Sequence, residues 1–157
     1  INRALTRTLF LLENQSLFQN ITIEKELDPD LKPVHSDIQQ LNHMFMNIIL
    51  NAAQAMEGKG KLTVRTFQVS GKKDICIEIS DSGPGIPPDI LPHIFEPFFT
   101  TKEEGEGTGL GLSLAYGIVE NHRGQITARN KPDGGAVFAI TFPGADQGND
   151  GDSRAEK

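Results

Sequence analysis

The chain has 157 residues and carries 15 basic against 21 acidic side chains, a formal charge of −6. That length suits one domain with a tail and needs no disulfide or metal staple, and the acidic balance argues against a nucleic-acid partner. The single cysteine, Cys76, excludes a disulfide framework and a multi-cysteine zinc site, and no apolar run approaches the roughly 18 residues of a membrane span. The chain opens on Ile1 rather than Met and shows no signal peptide, so it reads as a piece of a longer protein.

In chain order, Leu5, Leu9 and Leu12 predict a helix over 3–18. The alternation of Ile21, Ile23, Lys25 and Leu27 predicts a strand over 20–27, closed by the turn residues Asp28-Pro29-Asp30. Ser36, with Gln39 three residues on, predicts the capped start of a long helix whose apolar face is Ile38, Leu41, Phe45, Ile48, Ala52 and Ala55. Gly58 and Gly60 are expected to stop it. Strands follow near 61–69 and 74–80, with Ile75, Ile77 and Ile79 on one face. Residues 82–111 differ in kind, holding six of the 16 glycines, five of the nine prolines and three of the nine phenylalanines. Within it, residues 86–107 are expected to form a mobile functional lid, since a connection of that length is otherwise uncommon. A further helix is predicted from near Thr108 to Gly124, then strands near 125–130 and 136–142 around the turn Pro132-Asp133-Gly134. Residues 144–157 are almost without apolar side chains and predict a disordered tail. The expected class is α+β, a two-layer sandwich in which about five mixed or antiparallel strands are covered on one face by three helices.

Four stretches could carry chemistry. On the long helix Gln40, His43, Asn47, Asn51 and Gln54 form a polar stripe almost without formal charge. Asn is a poor helix former, and a solvated stripe is expected to use Lys and Glu. Paired Asn therefore suits either a wet pocket, where a carboxamide oxygen can ligate Mg²⁺, or a half-buried stripe bonded to backbone. Asp81-Ser82-Gly83-Pro84-Gly85 follows a strand. Asp81 there can accept from an exocyclic amine, and the glycines admit a planar ligand, although the same residues make an ordinary turn. Gly105 to Gly111 runs into a helix, where exposed amides bind phosphate or a hinge forms. No Gly-Lys-Ser/Thr follows it and no strand precedes it, so it is neither a Walker loop nor a dinucleotide fingerprint. Between the glycine stretches lies Ile94 to Lys102, whose phenylalanines suit packing and whose Lys102 suits a phosphate contact.

Each stretch is modest alone, but their order resembles the catalytic ATP-binding domain of sensor histidine kinases, with the Bergerat-type fold shared by gyrase and the heat-shock chaperone ATPase. Asn47 to Ala52 resembles the asparagine box, Asp81 to Gly85 the first glycine box, Phe95 to Phe99 the phenylalanine box and Gly107 to Gly111 the second glycine box. The wording Asn-Ala-Ala-Gln-Ala-Met and Phe-Phe-Thr-Thr-Lys is closest to the nitrogen-regulation type. The resemblance covers roughly residues 20–143.

It implies ATP and Mg²⁺ as cofactors, with Asn51 on the metal and Asn47 near the phosphates or the metal. Asp81 is expected to bind the adenine amine, with Gly83, Gly85 and Ile86 shaping the base pocket. Gly107, Thr108, Gly109, Leu110, Gly111 and Leu112 are expected to wrap the phosphates, and Lys102 to reach the γ-phosphate. Gln54 stands where many members carry Lys or Arg, which leaves Lys102 to supply that charge. Gyrase-type ATPases carry a general-base Glu where this chain has Asn47, which has no useful proton affinity. The expected reaction is therefore transfer to a histidine on a separate dimerisation domain, then to a response regulator; a superfamily ATPase or a non-catalytic nucleotide-binding module are the alternatives. None of His35, His43, His93 and His122 reads as the phosphoacceptor. Residues 1–18 are expected to be the end of the dimerisation helix or a linker, 19–143 the catalytic domain and 144–157 the tail. A bacterial-type, cytoplasmic setting follows from the resemblance, as a free protein or as part of a membrane-bound sensor, with no direct membrane contact.

Overall fold

The structure, a computed structural model, describes residues 1–101 and 109–145. Its elements are α1 (Asn2–Glu13), β1 (Asn20–Leu27), α2 (Ile38–Ala55), β2 (Lys59–Gln68), β3 (Ile75–Asp81), α3 (Gly111–Asn121), β4 (Gln125–Asn130) and β5 (Ala136–Phe142), with single 3₁₀ turns at Ser16–Phe18 and Leu91–His93. The five strands form one sheet in the order β1-β2-β3-β5-β4. β1 and β2 are parallel, and the other pairs are antiparallel. A parallel pair needs a crossover, and α2 supplies it.

The sheet's period of two decides where the helices sit. Ile77 pairs with Thr66 on one side and Ile140 on the other, and Ile79 pairs with Val64 and Phe138. All share one buried face, and the apolar ones pack in a single core with α1, α2 and α3. The opposite face carries charge in register. Glu26 pairs with Arg65 at 2.8 Å, Arg65 reaches Glu78 at 3.4 Å, and Arg129 reaches the other Glu78 oxygen at 3.6 Å. Such exposed pairs contribute about 0–1 kcal/mol each, so the apolar face holds the layers together. Cys76, on the charged face, is buried, and that burial, reinforced by Glu78, pushes its thiol above the ordinary range.

Helix ends differ from expectation in instructive ways. α2 is capped by Asp37 rather than Ser36; one Asp37 oxygen accepts from the Gln39 N–H at 2.8 Å and from the Gln40 N–H at 3.2 Å. A carboxylate there also complements the positive helix end. Its buried face is Leu41, Met44, Phe45, Ile48, Ile49, Ala52 and Ala53, while Ile38 and Ala55, expected in it, are exposed. α2 and α3 end alike. The Gly58 N–H bonds to Ala53 and the Glu57 N–H to Gln54; the Gly124 N–H bonds to Val119 and the Arg123 N–H to Glu120. Both are Schellman ends, but the left-handed residues are Glu57 (φ 53°) and Arg123 (φ 57°). Gly124 is required for another reason: a Cβ there would lie 2.6 Å from the Thr141 carbonyl oxygen. α3 begins at Gly111, not near Thr108, because Gly109 is left-handed (φ 66°) and cannot join the helix.

Ala4, Leu5, Leu9 and Leu12 of α1 are buried in the same core as α2, so no break in packing falls between residues 18 and 19. Asn2 at its start donates to the Asp28 carbonyl and accepts from the buried Thr66 hydroxyl. The helix expected over 3–18 stops at Glu13, with the short turn at Ser16–Phe18 after it. The expected tail from 146 onward lies outside the described residues, while the Ala145 N–H still bonds to the Pro33 carbonyl at 3.0 Å. Among the described residues no helix is long and apolar enough to cross a membrane.

Candidate functional site

A cavity of about 600 Å³ lies between α2, the 85–101 segment and the start of α3. α2 contributes Asn47, Leu50, Asn51 and Gln54; Asn47 and Asn51 are one turn apart and half-buried at its wall. Gln40 and His43, expected in the same stripe, do not line it. Helical geometry explains the split: the lower part of the stripe looks into the cavity, and the exposed His43 lies beyond it. The Asn47 Nδ2 is buried and has no hydrogen-bond partner among the described residues. An unmade bond there costs roughly 1–3 kcal/mol unless a ligand completes it. A Cβ on Gly111 would lie 3.8 Å from Asn47 Oδ1, so the first residue of α3 faces this carboxamide across an open gap.

The opposite wall is irregular. Gly85, Ile86, Pro87, Ile90, Ile94 and Phe99 line it, and Phe138 of β5 also borders the cavity. This half of the expected lid is anchored. Ile94 is buried, and the Phe95 ring meets Phe138 edge-on at 6.2 Å and Tyr116 of α3 at 5.5 Å. Phe98 is 76% exposed at φ 64°, with its backbone against Gly109 so closely that a Cβ on Gly109 would collide with it. The phenylalanines thus divide the work: Phe95 packs, Phe99 lines the cavity, and Phe98 faces outward.

Asp81 ends β3 and is 3% exposed. Its Oδ1 accepts from the Gly83 N–H at 2.9 Å and lies 3.4 Å from the Ala136 N–H. Neither Asp81 nor Gly83 lines the cavity as Gly85 and Ile86 do; they stand behind that wall, with Gly83 held close to the Ala55 carbonyl. Ser82 accepts from the Lys61 N–H at 2.9 Å and so fixes the turn against β2. Gly109, Gly111 and Leu112 line the cavity, and Leu110 is the N-cap of α3. Lys102, Gly107 and Thr108 lie outside the described residues.

Sequence reasoning missed Asn130, whose carboxamide holds both backbone polar atoms of Ile86, and Thr100 and Thr101 at the cavity rim. No local pattern exposes a partner 44 positions away. The four histidines lie apart from the cavity lining. His93 is 2.8 Å from Glu96, and His122 bridges the Ile118 carbonyl and the Asp37 N–H.

Every described side chain lining the cavity is uncharged, and among the described residues no cluster of three His, Cys, Asp or Glu could hold a metal by itself. Two half-buried carboxamides fit a hard cation that takes a few neutral oxygens from the protein and the rest from water and substrate phosphates, as Mg²⁺ does.

A helix-on-sheet sandwich with a nucleotide-sized cleft between a carboxamide-bearing helix and glycine turns defines an ATP-binding domain. Residues 36–146 match the family of histidine kinase-, DNA gyrase B-, and HSP90-like ATPases, and the chain belongs to it. Its relatives narrow the type. It is 37% identical over 149 residues to the signal transduction histidine-protein kinase AtoS of Escherichia coli, covering 95% of this chain and 24% of that protein. It is 37% identical over 135 residues to the sensory histidine kinase/phosphatase NtrB of Rhodobacter capsulatus, covering 79% of this chain and 37% of that protein. The catalytic domain of histidine kinase ThkA superposes with a TM-score of 0.80 at 31% identity, covering 92% of both chains. The chain is a histidine kinase catalytic domain, about a quarter of the length of AtoS.

Proposed function

We propose that this domain holds ATP in the cavity and presents its γ-phosphoryl group to a histidine on a separate dimerisation domain, for relay to a response-regulator aspartate. The observation that carries the reading is the convergence of Asn47 and Asn51, the Gly85–Ile86 wall and the start of α3 on one cleft. Adenine lies on the Gly85–Ile86 side, with its amine donating to Asp81 and with Gly83 shaping the turn. Triphosphate lies along the amides of Gly109, Leu110, Gly111 and Leu112, extended by Gly107 and Thr108, where the helix end favours negative charge. Asn51 would hold Mg²⁺, which would neutralise phosphate charge, and the Asn47 amide, unpartnered among the described residues, completes the phosphate contacts. Lys102 approaches the γ-phosphate and supplies the cation that the described lining lacks.

The side chains position rather than react. Phosphoryl transfer asks the protein mainly for alignment and charge stabilisation, and Asn47 cannot take a proton from water, so hydrolysis has no base there. The phosphoacceptor comes from outside, since none of the four histidines lines the cavity. The structure of ThkA with the response regulator TrrA, at 27% identity and a TM-score of 0.76, supports the relay partner. Residues 19–143 carry the catalytic residues, and α1, packed into the same core, joins them to the preceding domain, in a cytoplasmic setting.

Calorimetric titration of ATP into this chain tests the reading. Binding with Mg²⁺, at a Kd between about a micromolar and a millimolar, that fades with excess chelator is the expected result. No heat at millimolar ATP removes the cavity from nucleotide binding. Labelled ATP is expected to leave no phosphohistidine on this chain alone, and steady release of free phosphate would favour a hydrolase instead.

A further inference from the structure

Resting on the nucleotide reading, we infer that Asn130 is a positioning residue for the base, because its carboxamide acts as a substitute strand for Ile86. The Ile86 N–H donates to Asn130 Oδ1 at 2.7 Å, and Asn130 Nδ2 donates to the Ile86 carbonyl at 2.6 Å. A carboxamide carries the same donor and acceptor pair as a peptide. It therefore extends sheet-like pairing to a residue that has already left the sheet, five positions past the end of β3.

The contact has two consequences. The Ile86 N–H is spent and its carbonyl already accepts one bond, so this residue offers a ligand no backbone donor and mainly its side chain. The wall is also registered to the β4–β5 hairpin. Asn130 ends β4, the Lys131 N–H closes the turn onto the Gly135 carbonyl at 2.9 Å, and Gly135 packs against the Asp81 backbone. The same hairpin thus holds the acceptor at Asp81 and the apolar contact at Ile86. A planar base read at its edge by one and on its surface by the other needs their separation fixed. Gly85 fits this arrangement: it lies at φ 81°, and a Cβ there would come within 2.9 Å of Asn130 Oδ1.

The test compares Asn130→Ala and Asn130→Asp with the parent chain, using two magnesium-loaded probes: a non-hydrolysable ATP analogue and inorganic tripolyphosphate. Two neutral hydrogen bonds at ordinary net strength correspond to about 5–150-fold in affinity. Asn130→Ala is expected to weaken the ATP analogue by about that factor and leave tripolyphosphate unchanged. Asn130→Asp is expected to be weaker than Asn130→Ala, because it sets a carboxylate oxygen against the Ile86 carbonyl. Hydrogen exchange at the Ile86 amide, measured without ligand, is expected to quicken about tenfold in Asn130→Ala. Unchanged binding of the analogue, or equal loss of both probes, overturns the positioning role; unchanged exchange at Ile86 overturns the clamp. If the parent chain binds neither probe, the nucleotide reading fails and the positioning role with it, whereas faster exchange would still mark the clamp as real.

Discussion

The two walls of the cavity are built by different physics. The α2 wall is one regular helix whose other face, with Phe45 and Ile48 fully buried, is locked into the core. Its cavity residues inherit their positions from that packing. The facing wall, from Gly85 to Thr101, has no strand and a single 3₁₀ turn. It is held at separate points: Asp81 to Gly83, Ser82 to Lys61, Asn130 to Ile86, and Phe95 on Phe138. A helix carries a site as a rigid rail; the second wall is assembled from individual tethers, each removable on its own.

Substitution separates the two. Phe45→Ala removes a fully buried ring behind the rail and is expected to cost about 3–5 kcal/mol of global stability, read from denaturant midpoints at unchanged slope. An equal loss of nucleotide affinity with no loss of stability would break the comparison. Asp81→Ala acts on a tether. Losing a charge-assisted bond of about 1.5–3 kcal/mol corresponds to roughly ten- to a hundredfold in ATP affinity. Calorimetry checks it, and unchanged affinity takes Asp81 out of the adenine role. Phe95→Ala, at a half-buried position, is expected to cost about 1–2 kcal/mol of stability, below the full-burial range. It is also expected to speed hydrogen exchange over 94–99 while leaving α2 protected.

The rail was legible in sequence because its signal is periodic. The Ile, Leu and Phe spacing placed α2, and the Asn pair stood out against helix propensity. The five strands were legible for the same reason, since alternation such as Ile75, Ile77 and Ile79 fixes a face. The tethered wall was legible only as composition and by resemblance. That Asp81 and Gly83 stand behind it, that Phe98 turns outward and that Asn130 holds Ile86 depend on contacts between distant residues, which no local pattern encodes. Helix starts slipped by one to three residues because several residues in a row could serve: Asp37 won over Ser36 by offering a charged acceptor, and Gly109 delayed α3 by its left-handed backbone.

The smallest expected effect lies at the far end of α3, away from both walls. Arg123 occupies the left-handed position of a Schellman end, where a side chain bearing Cβ pays about 1–2 kcal/mol that glycine avoids. Glycine also loses more entropy on folding, which offsets part of the gain. Arg123→Gly is therefore expected to raise stability by about 0.5–1 kcal/mol and leave ATP affinity unchanged. The neighbouring Gly124 is not interchangeable with it, because a Cβ at 124 meets the Thr141 carbonyl and the Phe142 ring. Gly124→Ala is expected to destabilise, so the pair of substitutions moves in opposite directions at adjacent positions. Thermal melts of the two variants read that sign, and a stabilising Gly124→Ala would show that β5 yields where the structure places it in contact.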